Sequence, residues 1–173
     1  MATIRKATQK DIPILSRNLL QLLNDKNSQI YQENVTRFGI PEEYVRKAFA
    51  EETLAKAAAE GSAFYVAIQD SEILGFAQTI PQDADTTVLD RITVFPEHAR
   101  KGIGTQLLKK AIEDEERKET KTIIANAGKH ETHARRFYEK NGFKLSKETT
   151  MQASWGKKLE LAIYQLQLES QER

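Results

Sequence analysis

Hydrophobic residues along the chain follow two spacings, one typical of strands and one typical of helices. Residues 88–95 are apolar and rich in β-branched side chains, which predicts a buried strand that ends at Pro96. From Gly102 onward the spacing becomes helical and predicts an amphipathic helix over 102–118, with an apolar face made of Ile103, Leu107, Leu108, Ala111 and Ile112. This strand, loop and helix form the unit around which the other elements are arranged.

The same periodicities predict the other elements. A first helix over 11–23 has a leucine-rich face, and a second, continuous helix runs from Pro41 to the stop signal at Gly61. Residues 24–39 are polar and lack periodicity, so we expect them to be mobile or to face a substrate. The remaining elements are a helix over 132–141 and strands over 3–7, 63–69, 73–80, 120–127, 143–151 and 159–168.

The resulting order, β-α-α-β-β-β-α-β-α-β-β, predicts an α/β (α+β) fold. We expect a mixed, mostly antiparallel sheet of six to seven strands, flanked by about four helices. A length of 173 residues suits a single domain over 1–173.

Composition excludes several classes of function. The chain has no cysteine, which excludes disulfides and thiol catalysis. A net charge of +1 gives no overall attraction to nucleic acid or to a membrane, and we predict neither as a partner. No signal-peptide core and no membrane-length apolar run are found, so we expect a cytoplasmic protein.

Charge is distributed unevenly along the chain. Residues 61–95 hold one base and five acids, a net of −4, whereas residues 96–173 hold sixteen bases and twelve acids, a net of +4. An acidic centre suits a cationic substrate and a basic C-terminal half suits a polyanion, although solvated surface charge explains the asymmetry equally well.

The loop before the predicted central helix has the composition of a phosphate site. Gly102 and Gly104 leave the first-turn amides accessible, where the helix dipole favours an anion, and Arg100, Lys101 and Thr105 add donors. The spacing does not match a P-loop, and Leu107 stands where a dinucleotide fingerprint needs its third glycine. The alternative is a simple strand-to-helix turn with two solvated cations.

Two motifs carry a resemblance to a known family. The run 92–94, followed by Pro96 and by Arg100-Lys101-Gly102-Ile103-Gly104-Thr105, resembles the acetyl-CoA-binding motif of the GNAT N-acetyltransferase superfamily, except that Ala99 replaces its usual Arg or Gln. The run 134–143 is similar to the family's Ala-x-x-Phe/Leu-Tyr-x-x-x-Gly-Phe signature, although Glu131 stands where many members carry Asn.

The resemblance implies a GNAT fold with acetyl-CoA as co-substrate. In that family a backbone amide of a bulged central strand, here about 92–94, stabilises the oxyanion, and the motif tyrosine, here Tyr138, protonates the leaving thiolate. Asp90 is our candidate for the general base, with an ion pair to Arg91 as the alternative. The predicted cofactor contacts are Ile92, Thr93, Val94, Arg100, Lys101, Gly102, Ile103, Gly104, Thr105, Asn126 and Lys140.

Two of these contacts have a plain alternative. Asn126 is expected to hold the pantetheine amide or to be a strand-end turn residue, and Lys140 to reach the 3′-phosphate of CoA or to be a solvated charge. We predict no metal, because His130 and His133 lack a third ligand at suitable spacing.

The resemblance is greatest to members that acetylate small amines such as polyamines. The predicted activity is therefore acetyl transfer to a small primary amine by direct attack in a ternary complex. Two alternatives stay open: a peptide or protein acetyltransferase acting on N-termini or lysines, and a CoA-binding regulatory module without turnover. The sequence does not fix the oligomeric state, and a homodimer is one option.

Overall fold

The computed structural model describes residues 1–95 and 102–169 of the chain. The described strands form one seven-stranded sheet. They are β1 (Thr3–Lys6), β2 (Ala63–Gln69), β3 (Glu72–Pro81), β4 (Thr86–Val94), β5 (Thr122–Gly128), β6 (Lys144–Gln152) and β7 (Lys158–Gln167).

The described helices connect these strands. They are α1 (Asp11–Leu23), α2 (Gln29–Tyr31), α3 (Glu42–Ala48), α4 (Glu51–Ala59), α5 (Ile103–Arg117) and α6 (Thr132–Lys140). The short α2 continues directly into a π-helical turn, Gln32–Arg37. None of the described helices has the length and apolarity needed to cross a membrane.

The strand order in the sheet is β1-β2-β3-β4-β5-β7-β6. Every neighbouring pair is antiparallel except β4 and β5, which are parallel and are connected through α5. The predicted mixed, mostly antiparallel sheet is confirmed. The central parallel pair matters most for function, because parallel strands are joined by a crossover helix whose N-terminus lies at the end of the first strand.

Alternation along β2 separates two hydrophobic clusters. Tyr65 and Ala67 pack with α5 and α6, whereas Phe64 and Val66 pack with the helices that precede β2. The two faces of the sheet are therefore both covered, as the nearly continuous burial of β2 and β3 requires.

The structure differs from the prediction between residues 24 and 61. The expected single helix over 41–61 is two helices, because the chain leaves helical geometry at Phe49 and Ala50. The buried Ser16 hydroxyl donates a 2.7 Å hydrogen bond to the Phe49 carbonyl, which satisfies an acceptor at the break. The stretch expected to be mobile or to face a substrate contains α2 and the π-helical turn. Ser28 caps α2 by accepting from the Tyr31 amide.

Candidate active site

A cleft opens where the two parallel strands separate. Pairing between β4 and β5 runs over four residue pairs, from Thr86 with Thr122 to Leu89 with Ala125. Beyond that point the remainder of each strand lines a cleft of about 660 Å³. The N-terminus of α5, the helix α6 and the segment from α2 to Phe38 form its other walls.

A β-bulge lies where the cleft begins. On β3, Gln78 pairs with Arg91 and the next residue, Thr79, pairs with Leu89, so Asp90 is an extra residue on β4. The bulge was expected at about 92–94 and is found earlier in the strand. It lies directly after the last β4–β5 pair, so the local change in strand direction coincides with the separation of the strands.

Alternate amides of β4 beyond the bulge face the cleft. The Phe95 amide donates to the Leu74 carbonyl at 2.9 Å, so Phe95 and, by alternation, Thr93 direct their amides to β3. The backbone groups of Ile92 and Val94 therefore point to the other side, where β5 no longer pairs with them. The amides of Ile92 and Val94 are therefore donors that an extended ligand in the cleft can use.

The N-terminus of α5 is a second source of amides, which have no partner within the helix. The first backbone bond of this helix joins the Gln106 amide to the Gly102 carbonyl, so the amides before Gln106 have no helical partner. Gly102 caps the helix in the left-handed conformation, with φ at +73°. Gly102, Ile103, Gly104 and Thr105 all line the cleft.

Gly104 leaves space that the protein itself does not use. A Cβ at Gly104 would lie 3.6 Å from both Phe137 Cε1 and Val94 Cγ2, which is ordinary contact distance. Packing within the protein therefore does not require glycine at this position. A glycine there instead keeps the first helical turn accessible to a ligand, as a phosphate cradle needs.

The other predicted cofactor residues divide into three groups. Thr93 and Asn126 line the cleft with the residues above. Lys140 is exposed in the last turn of α6 and is not among the lining residues, so its contact with CoA stays a prediction. Arg100 and Lys101 lie outside the described residues.

Tyr138 is the aromatic hydroxyl of the cleft. Its side chain is 7% exposed and packs against the rings of Phe137, Phe143 and Tyr164 at centroid distances of 5.7, 5.5 and 5.9 Å. Burial, followed by the charges of three carboxylates, raises the pKa of Tyr138 to about 12. These carboxylates belong to Glu131, Glu33 and Asp90. The hydroxyl is therefore protonated at neutral pH and can donate a proton.

Asp90 lines the cleft but already has a cationic partner. Its Oδ2 lies 3.4 Å from Arg91 Nε, and its side chain is 39% exposed. Arg91 is held from two further directions, since its Nη1 donates to Asn34 Oδ1 at 3.2 Å and its guanidinium lies 4.8 Å from the Phe49 ring centroid. The ion pair named as the alternative for Asp90 is thus present.

Two further carboxylates line the cleft, and sequence reasoning gave neither a role in catalysis. Glu131 accepts from the Gly128 amide at 2.8 Å and forms a 2.6 Å ion pair with Arg37. Glu33 accepts from Gln29 Nε2 at 2.7 Å, and burial raises its pKa. The only sequence signal for Glu33 was its place in the segment expected to face a substrate.

The histidines do not form a metal centre with other described residues. His130 Nε2 lies 3.1 Å from Glu160 Oε2, whereas His133 lines the cleft. In the part of the chain that the structure describes, no three His, Asp or Glu side chains are placed to hold a metal ion.

Part of the chain matches a known family model. Residues 60–145, just under half of the chain, match the model of the acetyltransferase (GNAT) domain. A curated relative, the spore coat polysaccharide biosynthesis protein SpsD of Bacillus subtilis, is 35% identical over 78 residues. That match covers 45% of this chain and only 27% of the relative.

Solved structures match almost the whole chain. The PaiA N-acetyltransferase of Thermoplasma acidophilum, in complex with coenzyme A, has a TM-score of 0.71 at 20% identity and covers 97% of this chain and 99% of its own. The ribosomal-protein-alanine N-acetyltransferase of Brucella melitensis has a TM-score of 0.69 at 21% identity, covering 96% and 99%. A GNAT family acetyltransferase of Elizabethkingia anophelis with acetyl-CoA bound has a TM-score of 0.65 at 20% identity, covering 96% and 98%. The predicted GNAT fold is confirmed.

Proposed function

We propose that this chain, which carries an acetyltransferase (GNAT) domain over residues 60–145, transfers the acetyl group of acetyl-CoA to a primary amine of a small molecule. One observation carries the proposal. The strands β4 and β5 separate into a cleft that brings the free amides of α5, the free amides of β4 and the Tyr138 hydroxyl together.

The cleft has the donors that acetyl-CoA needs. The first-turn amides of α5 suit the diphosphate, because Gly104 keeps them open and the helix dipole favours an anion. The backbone of Ile92 and Val94 and the side chain of Asn126 line the adjoining stretch, where an extended, amide-containing pantetheine chain can pair as a strand does. Arg100 and Lys101 remain candidates for further phosphate contacts.

The reaction needs few groups from the protein. A neutral amine attacks the thioester carbonyl, and a backbone amide of β4 at Ile92 or Val94 stabilises the oxyanion, a contribution typically worth about 3 kcal/mol. The C–S bond then breaks and Tyr138 gives its proton to the thiolate. The proton that the attacking nitrogen releases restores the Tyr138 hydroxyl. Direct transfer requires no nucleophile of the protein, in agreement with a chain that has no cysteine.

We propose a small cationic acceptor, with polyamines as the first candidates. Among the described residues that line the cleft, the carboxylates of Glu33, Asp90 and Glu131 outnumber the guanidinium of Arg91, and this excess of negative charge suits an ammonium group. Two hydrogen bonds tie the end of the π-helical turn to the β6–β7 turn. Trp155 Nε1 donates to the Phe38 carbonyl, and Lys157 Nζ donates to the Arg37 carbonyl. This tie holds the wall segment that contains Phe38, a residue of the cleft lining, in place. A wall held in this way favours a small acceptor over a protein alanine of the kind that the Brucella melitensis protein's name indicates.

The experiment is CoA release with a panel of acceptors: spermidine, amino acids, aminoglycosides and peptides with free N-termini. We expect turnover with small amines, and a panel on which only peptides react would contradict the small-acceptor proposal. Tyr138→Phe should reduce the rate by 10²-fold or more, in the range of ~10²–10⁴ typical of general acids, while acetyl-CoA affinity is retained. A wild type that binds acetyl-CoA tightly and acetylates nothing would favour a regulatory module.

A further inference from the structure

The π-helical turn Gln32–Arg37 presents Glu33 to the cleft that also contains Tyr138. We propose that the Glu33 carboxylate is the catalytic base that takes the proton from the acceptor's ammonium group. This inference rests on the proposed acetyltransferase function and assigns the base, for which the sequence favoured Asp90. Insertions of π geometry into helices are frequent at functional sites, and here the surrounding contacts explain what the turn achieves.

Asn34 fixes this turn against the central strand. It is 8% exposed, and its Nδ2 donates to the Ile30 carbonyl at 2.8 Å while its Oδ1 accepts from Arg91 Nη1 at 3.2 Å. The first bond joins the turn to α2, and the second connects it to β4, whose alternate amides face the cleft. Glu33 directly precedes Asn34 in this turn. The two hydrogen bonds of Asn34 therefore also hold the backbone of Glu33 in place relative to the β4 amides.

The arginines near the Glu33 carboxylate are already paired with other side chains. The charged groups that act on it are Arg37 of the same turn, Arg91 of β4 and Glu131 at the start of α6. Arg37 is paired with Glu131, and Arg91 is paired with Asp90 and Asn34. Among the described residues, the hydrogen bond of Glu33 is to the neutral side chain of Gln29. An ammonium group entering the cleft can therefore become its cationic partner.

The environment also strengthens Glu33 as a base. Burial raises its pKa, and the negative charge of Glu131 acts in the same direction, while the bond from Gln29 and the charges of Arg37 and Arg91 oppose them. A base whose pKa is closer to the working pH accepts a proton from an ammonium more readily. Asp90 is ion-paired with Arg91 and partly exposed, which makes it the weaker candidate.

The proposed step balances as follows. An N–H bond of the acceptor ammonium breaks, its proton passes to a Glu33 carboxylate oxygen, and the nitrogen keeps the electron pair. That pair forms the C–N bond to the acetyl carbon, which gives the oxyanion intermediate. The C–S bond then breaks, Tyr138 protonates the thiolate, and the second proton that the nitrogen loses restores the Tyr138 hydroxyl. Glu33 returns its proton to water through the open side of the cleft, so each turnover releases one proton to solvent in addition to the acetylated amine and CoA.

The test compares Glu33→Gln with Asp90→Asn, using the best amine of the wild-type panel. For Glu33→Gln we expect kcat/KM to fall by ~10²–10⁴-fold, with acetyl-CoA affinity and the melting temperature close to those of the wild type. The wild-type kcat/KM should fall as the pH drops through the raised pKa of Glu33, and this acidic limb should be absent from Glu33→Gln. Glu33→Asp should restore part of the rate. Glu43→Gln, an exposed change on α3, serves as the control with unchanged rate.

Each outcome distinguishes this inference from the proposed function. If the wild type acetylates an amine and Glu33→Gln keeps its rate within about threefold, Glu33 is not the base. If Asp90→Asn instead removes the acidic limb, Asp90 has that role. If the wild type binds acetyl-CoA but acetylates no amine, the proposed function fails, and the role of Glu33 fails with it.

Discussion

Asp11 is the residue that connects the first strand to the first helix. Its carboxylate accepts from Arg5 Nη1 at 2.7 Å and Nη2 at 3.0 Å, and from the Thr8 amide at 2.7 Å. The hydrogen bond from the Arg5 guanidinium is the main reason that the pKa of Asp11 is lowered to about 2, and burial opposes this shift. A carboxylate at the first position of a helix is also favoured by the helix dipole.

The lowered pKa predicts a specific pH dependence of stability. Because the folded-state value lies below the unfolded one, the stabilisation is complete above about pH 4 and is lost as the pH falls towards 2. We expect Asp11→Asn to lower the free energy of unfolding at pH 7 by on the order of 1–2 kcal/mol, discounted because Arg5 is half-exposed. Urea unfolding should show the difference from the wild type shrinking by about half at pH 3.

The control for this measurement is the exposed Glu43→Gln, for which no such difference is expected. A difference between Asp11→Asn and the wild type that stays constant from pH 7 to pH 3 would show that the Arg5 pairing does not set the titration of Asp11.

At the scale of elements, the β6–β7 turn holds the wall of the cleft in place. Trp155 Nε1 donates to the Phe38 carbonyl at 2.8 Å, and Lys157 Nζ donates to the Arg37 carbonyl at 2.6 Å. Gly39 has a φ of +64°, and a Cβ there would lie 2.7 Å from Lys157 Cδ. This glycine therefore permits both the turn and the close approach of the lysine stem.

Removing the donor of this tie should weaken the binding of the acceptor amine more than the binding of acetyl-CoA. Trp155→Phe keeps an aromatic ring but leaves the Phe38 carbonyl without its indole donor, a loss of about 1 kcal/mol. We expect faster hydrogen exchange over 29–39 and a several-fold higher KM for the amine, with an unchanged dissociation constant for acetyl-CoA.

Trp155→Phe should leave hydrogen exchange in α5 unaltered, which serves as the internal control for this variant. Equal increases in exchange throughout the chain would instead indicate general destabilisation of the fold, and would contradict a local role for the tie.

The elements themselves were largely predictable, and the exceptions share a cause. Helix α1 follows from its leucine spacing and has the predicted bounds, and strands β2 and β3 follow from their alternation. The break at Phe49 depends on a hydroxyl from α1, and the bulge at Asp90 depends on its pairing with β3. Both result from contacts between distant segments, which local periodicity does not encode.

At the scale of the whole molecule, some residues of the cleft belong to local sequence motifs, whereas others come together only through contacts between distant segments. Gly102, Gly104 and Tyr138, which we propose to act on acetyl-CoA, could be singled out from the sequence because they lie in compact motifs, and all three line the cleft. The proposed acceptor contacts could not be singled out in this way, because Glu33 and Glu131 are 98 positions apart in the sequence and come together only through the fold.

The molecule as a whole should become more stable when acetyl-CoA or CoA binds. The sheet is joined at its centre by the short β4–β5 pairing, and the cleft beyond it is lined by both halves. A ligand that pairs with both strands acts on the folded state alone, so at 100 times its dissociation constant it adds about 2.7 kcal/mol to the free energy of unfolding. For a domain of this size, we expect the melting temperature to rise by about 5–10 °C.

Gly104→Ala separates ligand binding from the stability of the protein. Its Cβ meets only ordinary contacts, and alanine favours the helix, so the melting temperature without ligand should not fall. The methyl group would occupy the cradle for the diphosphate, however. The increase in melting temperature caused by the same concentration of CoA should therefore be much smaller than in the wild type. Adenosine, which lacks the diphosphate and the pantetheine chain, should give little rise with either protein. If CoA raised the melting temperatures of Gly104→Ala and of the wild type equally, the diphosphate would not bind at the N-terminus of α5.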